Sequence, residues 1–114
     1  MYRRSWILVL VFLWSSCKEG KERIPSDVVQ RDTMVQILSD IHIADAVVEK
    51  KSSAERPDTA LTEGMYQQIF QHHGITRQQF YSSYHYYEQH PALMNELYPD
   101  VISELSRRQA NAAK

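Results

Sequence analysis

The sequence predicts an all-α fold, a small bundle of three to four helices. From Met34 onward apolar residues recur at three- and four-residue steps. The apolar/polar alternation that marks strands is nearly absent, and glycine, proline and a capping box punctuate the periodic segments. The 114 residues allow one small domain, with no room for a separate catalytic or cofactor domain.

The first helix is expected from Asp32 to about Lys50. Met34, Ile37, Leu38, Ile41, Ala44 and Val48 form its stripe, and Asp32 stands where an N-cap carboxylate accepts a free backbone N–H. Val35, Ile43, Ala46 and Val47 fall on its other faces, so this helix is apolar nearly all round and belongs at the centre of the bundle. A polar connection from Lys50 to Pro57 leads to the second helix, which starts near Asp58 or Thr62 and ends at His73. Its stripe is Met65, Tyr66, Ile69, Phe70 and His73. Gly74 follows where a left-handed C-cap needs a residue without a β-carbon.

The sharpest local signal comes next. Thr76 and Gln79 form a capping box, and Ile75 closes on Phe80 as a hydrophobic staple. So short a turn predicts that the second and third helices pack as antiparallel neighbours. The third helix, Arg77 to Gln89, carries Phe80, Tyr84 and Tyr87 on one stripe and projects Tyr86 to the far side. His90-Pro91 breaks and restarts the chain, with Pro91 suited to the first helical position. The fourth helix carries Leu93, Met94, Leu97, Val101, Ile102 and Leu105. Proline normally ends a helix, yet the stripe keeps its phase across Pro99, so a single helix kinked there is expected rather than two. Residues 110–114 are expected to fray.

Ahead of this body, for which residues 27–109 are taken as the domain, stands a different kind of segment. Arg3-Arg4, an unbroken apolar run from Trp6 to Trp14, then Ser15, Ser16 and Cys17 have the parts of a secretory signal peptide over residues 1–16. A membrane-spanning helix needs about 20 apolar residues, and this run has about nine. Two small residues before Cys17 resemble a bacterial lipobox, although Trp14 occupies the position of the usual branched residue. Lipidation of Cys17 is therefore expected, with residues 17–26 as a lipidated cysteine and flexible tether. Without residues 1–16 the chain keeps 11 basic and 14 acidic residues, a net charge of −3. So mild an acidity leaves the lipid as the membrane anchor. The balance also argues against a nucleic-acid partner. A lone cysteine makes no internal disulfide or multi-thiolate zinc site, and Gly20, Gly64 and Gly74 are too scattered for a phosphate loop.

The run His73-Gly74-Ile75-Thr76 with Gln79-Phe80, then Tyr86-Tyr87, His90-Pro91, Leu93, Leu97-Tyr98, Val101 and Leu105, resembles a family of small lipoproteins from Bacteroidetes. So do Ile24-Pro25, Met34-Val35, Ile37-Leu38 and Asp40-Ile41-His42. The resemblance spans about Ile24 to Leu105. It implies a helical domain of unknown function at the outer membrane and transfers no catalytic residue. Lys18-Glu19 followed by Gly20-Lys21 matches that phylum's surface-export signal only in part, so periplasmic and outward orientations both stay open.

Two groups carry possible chemistry. Asp45 falls within the first helix's apolar stripe and needs a partner there, which His42 three residues earlier, or a tyrosine hydroxyl, would supply. Asp40 lies on the opposite flank. With His73, the pair His42 and Asp45 makes the alternative reading of a small metal or acid–base site. The second group is the aromatic run Phe80 to Tyr87, where Phe80, Tyr84 and Tyr87 read as core and Tyr81 and Tyr86 as exposed contact residues. The favoured expectation is a non-enzymatic, lipid-anchored interaction module without a cofactor. It would bind another envelope protein or itself, through Tyr81, Tyr86 and the outer residues Ile43 and Val47.

Overall fold

The computed structural model describes residues 23–52 and 58–114. The expected signal peptide and Cys17 lie outside the described residues. The fold is all-α, with four helices and no strand among the described residues: α1 (Arg31–Lys51), α2 (Thr59–His72), α3 (Arg77–Glu88) and α4 (Pro91–Ala112). None of these helices is long and apolar enough to cross a membrane.

The chain enters the body before α1. Ile24, Val28 and Val29 already pack against the core, and Val28 N–H closes a turn on the Pro25 carbonyl. Gln30, not Asp32, is the N-cap of α1, and it makes no side-chain cap. Its amide instead donates to the Pro25 and Val28 carbonyls, holding the turn. Asp32 sits one step inside the helix, where its charge faces the positive end of the helix dipole. The entry is then pinned to α3, because Val29 N–H donates to Ser83 Oγ at 2.9 Å and the Tyr87 hydroxyl donates to the Val29 carbonyl at 2.8 Å.

The turn between α2 and α3 follows the sequence signals closely. Asp58 caps α2 by accepting from Leu61 N–H. At the far end Gly74 has φ +67°, Gly74 N–H bonds the Gln71 carbonyl and Ile75 N–H bonds the Phe70 carbonyl. That pair of bonds is the Schellman arrangement, which satisfies carbonyls that a helix end leaves open. Thr76 and Gln79 then form the capping box in both directions, and Ile75 and Phe80 both belong to the core cluster.

Helix α4 is one helix through Pro99, with Pro91 at its start, and it continues to Ala112 rather than fraying after residue 109. Leu93, Leu97 and Val101 stay buried on one side of it while Pro99 is exposed. Only the exposed side of the helix has to accommodate the missing N–H.

Helix α1 packs closely on α2 and α4, and α3 packs on those same two, while the diagonal pairs show no close backbone approach. The arrangement is thus a ring of four helices, not three helices around a central α1, and Ile43 is left 43% exposed. Arg31 near the start of α1 meets Glu96 and Asp100, and Asp40 further along meets Arg108, so α1 and α4 run parallel. On the other side Asp40 meets His73 and Asp45 meets Tyr66, so α2 runs antiparallel to α1. An up-down-up-down order, with α3 antiparallel to both its neighbours, would have made α4 antiparallel to α1. The four helices therefore do not keep that order throughout. The core between the helices is built from Met34, Ile37, Phe70, Phe80, Tyr87 and Leu97, each at most 4% exposed. Full burial of such side chains contributes roughly 1.5–3 kcal/mol apiece.

Candidate functional site

Two side-chain clusters gather residues from several helices. The first is ionic. Asp40 on α1 uses both oxygens: Oδ1 accepts from Arg108 of α4 at 2.6 Å, and Oδ2 accepts from His73 Nε2, at the C-cap of α2, at 2.6 Å. An ionised carboxylate has no proton to give, so His73 carries its hydrogen on Nε2. Arg108 also reaches Gln36 at 2.6 Å and Glu104 at 2.8 Å, and Glu104 is held in turn by Arg107. Burial pushes the Asp40 carboxyl up, and the bonds from His73 and Arg108 outweigh it and hold the group below the usual carboxylate range. Arg107, then Arg108, draws Glu104 down to about 2. Both Asp40 oxygens are thus engaged by donors from other helices. The cluster's physical effect is to fasten α2 and α4 to the same point on α1.

The second cluster is an aromatic cavity of about 260 Å³. Buried Ile41, Phe80 and Val101, with half-buried Leu38, form its floor. Tyr66, Tyr81, Tyr84, Tyr98 and the exposed His42 stand around it, so all four helices contribute. Phe80 and Tyr84 lie nearly parallel, with an interplanar angle of 23° and centroids 6.0 Å apart, whereas Tyr81 stands at 71° to Phe80 with centroids 5.1 Å apart. The Tyr66 hydroxyl donates to Asp45 Oδ1 at 2.7 Å. Burial, then that bond and the charges of Asp45 and Glu63, pushes the Tyr66 hydroxyl well up. The nearby Tyr98 hydroxyl, then burial and the charge of Glu88, takes Tyr84 up to about 12. Both hydroxyls therefore stay neutral donors at ordinary pH.

The expected site residues are scattered over these features. Asp45 is exposed rather than buried in the stripe, and its partner is Tyr66, not His42. The reason is axial: at about 100° per residue Asp45 shares the angular position of buried Met34, but no residue of α1 beyond Ala44 is buried, so the stripe is uncovered where it reaches Asp45. His73 belongs to Asp40, and His42 borders the aromatic cavity. Among the described residues no group of three or more His, Cys, Asp or Glu is placed to hold a metal ion, so His42, Asp45 and His73 are not assembled into one site. Tyr81 is 48% exposed and lines the cavity. Tyr86 is half-buried, its ring stacked on His90 with centroids 4.0 Å apart. Ile43 and Val47 border a shallow groove between α1 and α4, beside Ala46 and Leu105.

Sequence reasoning missed Arg108, Glu104, Tyr84 as a cavity residue, and Tyr98. Glu104 and Arg108 stand four apart on one helix, a spacing that signals an ion pair but not its meeting with Asp40. Tyr98 gave no separable signal beside Pro99.

Comparison with curated proteins and with solved structures found no match to either. A family model described as a domain of unknown function, DUF4296, matches residues 25–111. That span takes in α1 to α3, all but the last residue of α4, the turn at Pro25 and both clusters, and the chain accordingly belongs to the DUF4296 family.

Proposed function

We propose that the protein is a lipid-anchored helical module of the bacterial cell envelope, most simply at the outer membrane, with a non-enzymatic role in binding another envelope protein or a second copy of itself. The observation that carries the reading is the order of parts along the chain. A positive start and a short apolar run end in Ser15-Ser16-Cys17, and the packed body begins at Ile24. Six residues stand between the two, and the seven steps from Cys17 to Ile24 span at most about 25 Å when fully extended. A body so tethered works within reach of the membrane surface.

The contact role draws on the apolar side chains left at the surface. Ile43 and Val47 beside Leu105, and Tyr81 on α3, present area that a partner would bury. Tyr86 is the weaker candidate, since part of its ring is already covered by His90. The ionic cluster is held by groups of the protein itself, with Asp40 bound to His73 and Arg108.

Anchoring is tested by growth with labelled fatty acid. Label is expected in the wild type and not in Cys17→Ala, and equal labelling of both overturns the anchor. The contact role is tested by crosslinking in intact membranes. A defined adduct is expected, lost in Ile43→Gln/Val47→Gln, and a clean monomer that captures nothing overturns it.

A further inference from the structure

The aromatic cavity has a composition that the contact role does not use. Five of its nine lining side chains are Tyr or Phe, and none is Lys, Arg, Asp or Glu. At about 260 Å³ it is smaller than the roughly 300–1,000 Å³ of pockets that enclose drug-sized ligands, so it suits a compact head group.

We propose that this cavity is an aromatic cage for a quaternary ammonium group, with Tyr81 and Tyr84 of α3 as walls over the buried Phe80 and with Tyr98 and Tyr66 closing it from α4 and α2. A ring face carries the negative lobe of the π quadrupole, so rings set around a small volume attract a cation that cannot donate hydrogen bonds. Three further observations favour a cation over a neutral apolar ligand. The Asp45 carboxylate holds the Tyr66 hydroxyl and makes no ion pair among the described residues, so a negative charge stands beside the cavity. The neighbouring Glu63 and Glu88 add to the negative field felt by Tyr66 and Tyr84, although Arg77 meets Glu63. The same aromatic cluster already accepts a cation on its far side, where the Arg77 guanidinium lies 5.7 Å from the centroid of Phe70, which packs on Phe80 with centroids 5.1 Å apart. The inference does not depend on lipidation of Cys17.

The experiment compares choline with 3,3-dimethyl-1-butanol, its uncharged carbon isostere, by chemical-shift titration of the full chain in a sugar-based, non-ionic detergent. Choline is expected to shift amides around Tyr81, Tyr84 and Tyr98 saturably. The neutral isostere should bind at least about fivefold more weakly, about the effect of one partly desolvated cation–π contact. Tyr98→Leu, at an exposed position where folding is little affected, should weaken choline binding by a similar factor, and Ile102→Gln, at a 62% exposed position off the cavity, should not. Absence of a saturable shift with choline overturns the proposal. So does equal or tighter binding of the neutral isostere, which would mean a purely apolar cavity.

Discussion

The entry to α1 provides the cleanest stability measurement. Tyr87 is fully buried and its hydroxyl donates to the Val29 carbonyl at 2.8 Å, while the Val29 N–H donates to Ser83 Oγ at 2.9 Å. One peptide residue is thus held to α3 from both sides. Tyr87→Phe keeps the ring and its packing and removes only the hydroxyl. A net hydrogen bond contributes about 0.5–1.5 kcal/mol, and a carbonyl left without its partner adds part of a desolvation cost, so a loss of about 1–2 kcal/mol is expected. For a domain of this size that lowers Tm by roughly 5–15 °C. Ser83→Ala should cost a similar amount by stranding the N–H. Because both bonds hold the same residue, the double variant should lose less than the sum of the singles, by about 0.5 kcal/mol or more. Urea and thermal unfolding of the full chain in mild detergent, followed by far-UV circular dichroism, measures all three. Single losses below about 0.3 kcal/mol, or strict additivity in the double variant, would refute the pinned entry.

The two described glycines should respond in opposite directions. Gly74→Ala places a β-carbon on a residue at φ +67° and should cost about 1–2 kcal/mol through backbone strain alone, since nothing lies within 4 Å of the added atom. Gly64→Ala, inside α2 with the same open surroundings, should stabilise by about 0.5–1 kcal/mol, and the same unfolding curves check both. In acid, Asp40 and Glu104 have folded pKa values below their unfolded ones, so their stabilisation is complete above the ordinary carboxylate range. It is lost as pH falls through that range toward about 2, the value for Glu104. Asp40→Asn should therefore flatten the fall of Tm with acid, and an unchanged slope would count against the cluster. In alkali the sign reverses. Burial raises the Tyr87 hydroxyl from 10.0 to about 12, so its contribution is intact below pH 10 and lost as pH rises toward 12, and Tyr87→Phe should lessen that alkaline loss of Tm.

The parts of the fold that were legible in the sequence are those whose physics is local. Gly74, Thr76 and Gln79 mark a helix end and a helix start because the groups they satisfy lie within a few residues, and the structure forms all of those bonds. The phase of Leu93, Leu97 and Val101 carried α4 across Pro99 for the same reason, since a buried stripe outweighs one missing N–H on an exposed face. At the start of α1 the local signal gave the wrong cap. Gln30 gained two carbonyl partners in the preceding turn, a competition that a capping preference does not register.

The candidate site was less legible because its pairings span helices. Periodicity places Asp45 within the stripe and Asp40 on its opposite flank but does not say which residue arrives there from elsewhere. The partners came from 21 to 68 residues away: Tyr66 for Asp45, His73 and Arg108 for Asp40. Of the two partners expected for Asp45, His42 or a tyrosine hydroxyl, the structure supplies the tyrosine, Tyr66, which a sequence hides because it lies across the bundle. The aromatic run of α3 poses the same problem. Read alone, it divides into core and surface residues, yet Phe80, Tyr81 and Tyr84 become walls of a cavity only when Tyr66 and Tyr98 arrive from α2 and α4. A function carried by that cavity depends on the parallel placement of α1 and α4, which the Asp40–His73–Arg108 cluster holds. If so, loosening the cluster with Arg108→Gln should weaken binding in the cavity although Arg108 does not line it, and Tyr98→Leu should weaken binding while leaving the acid dependence of Tm unchanged.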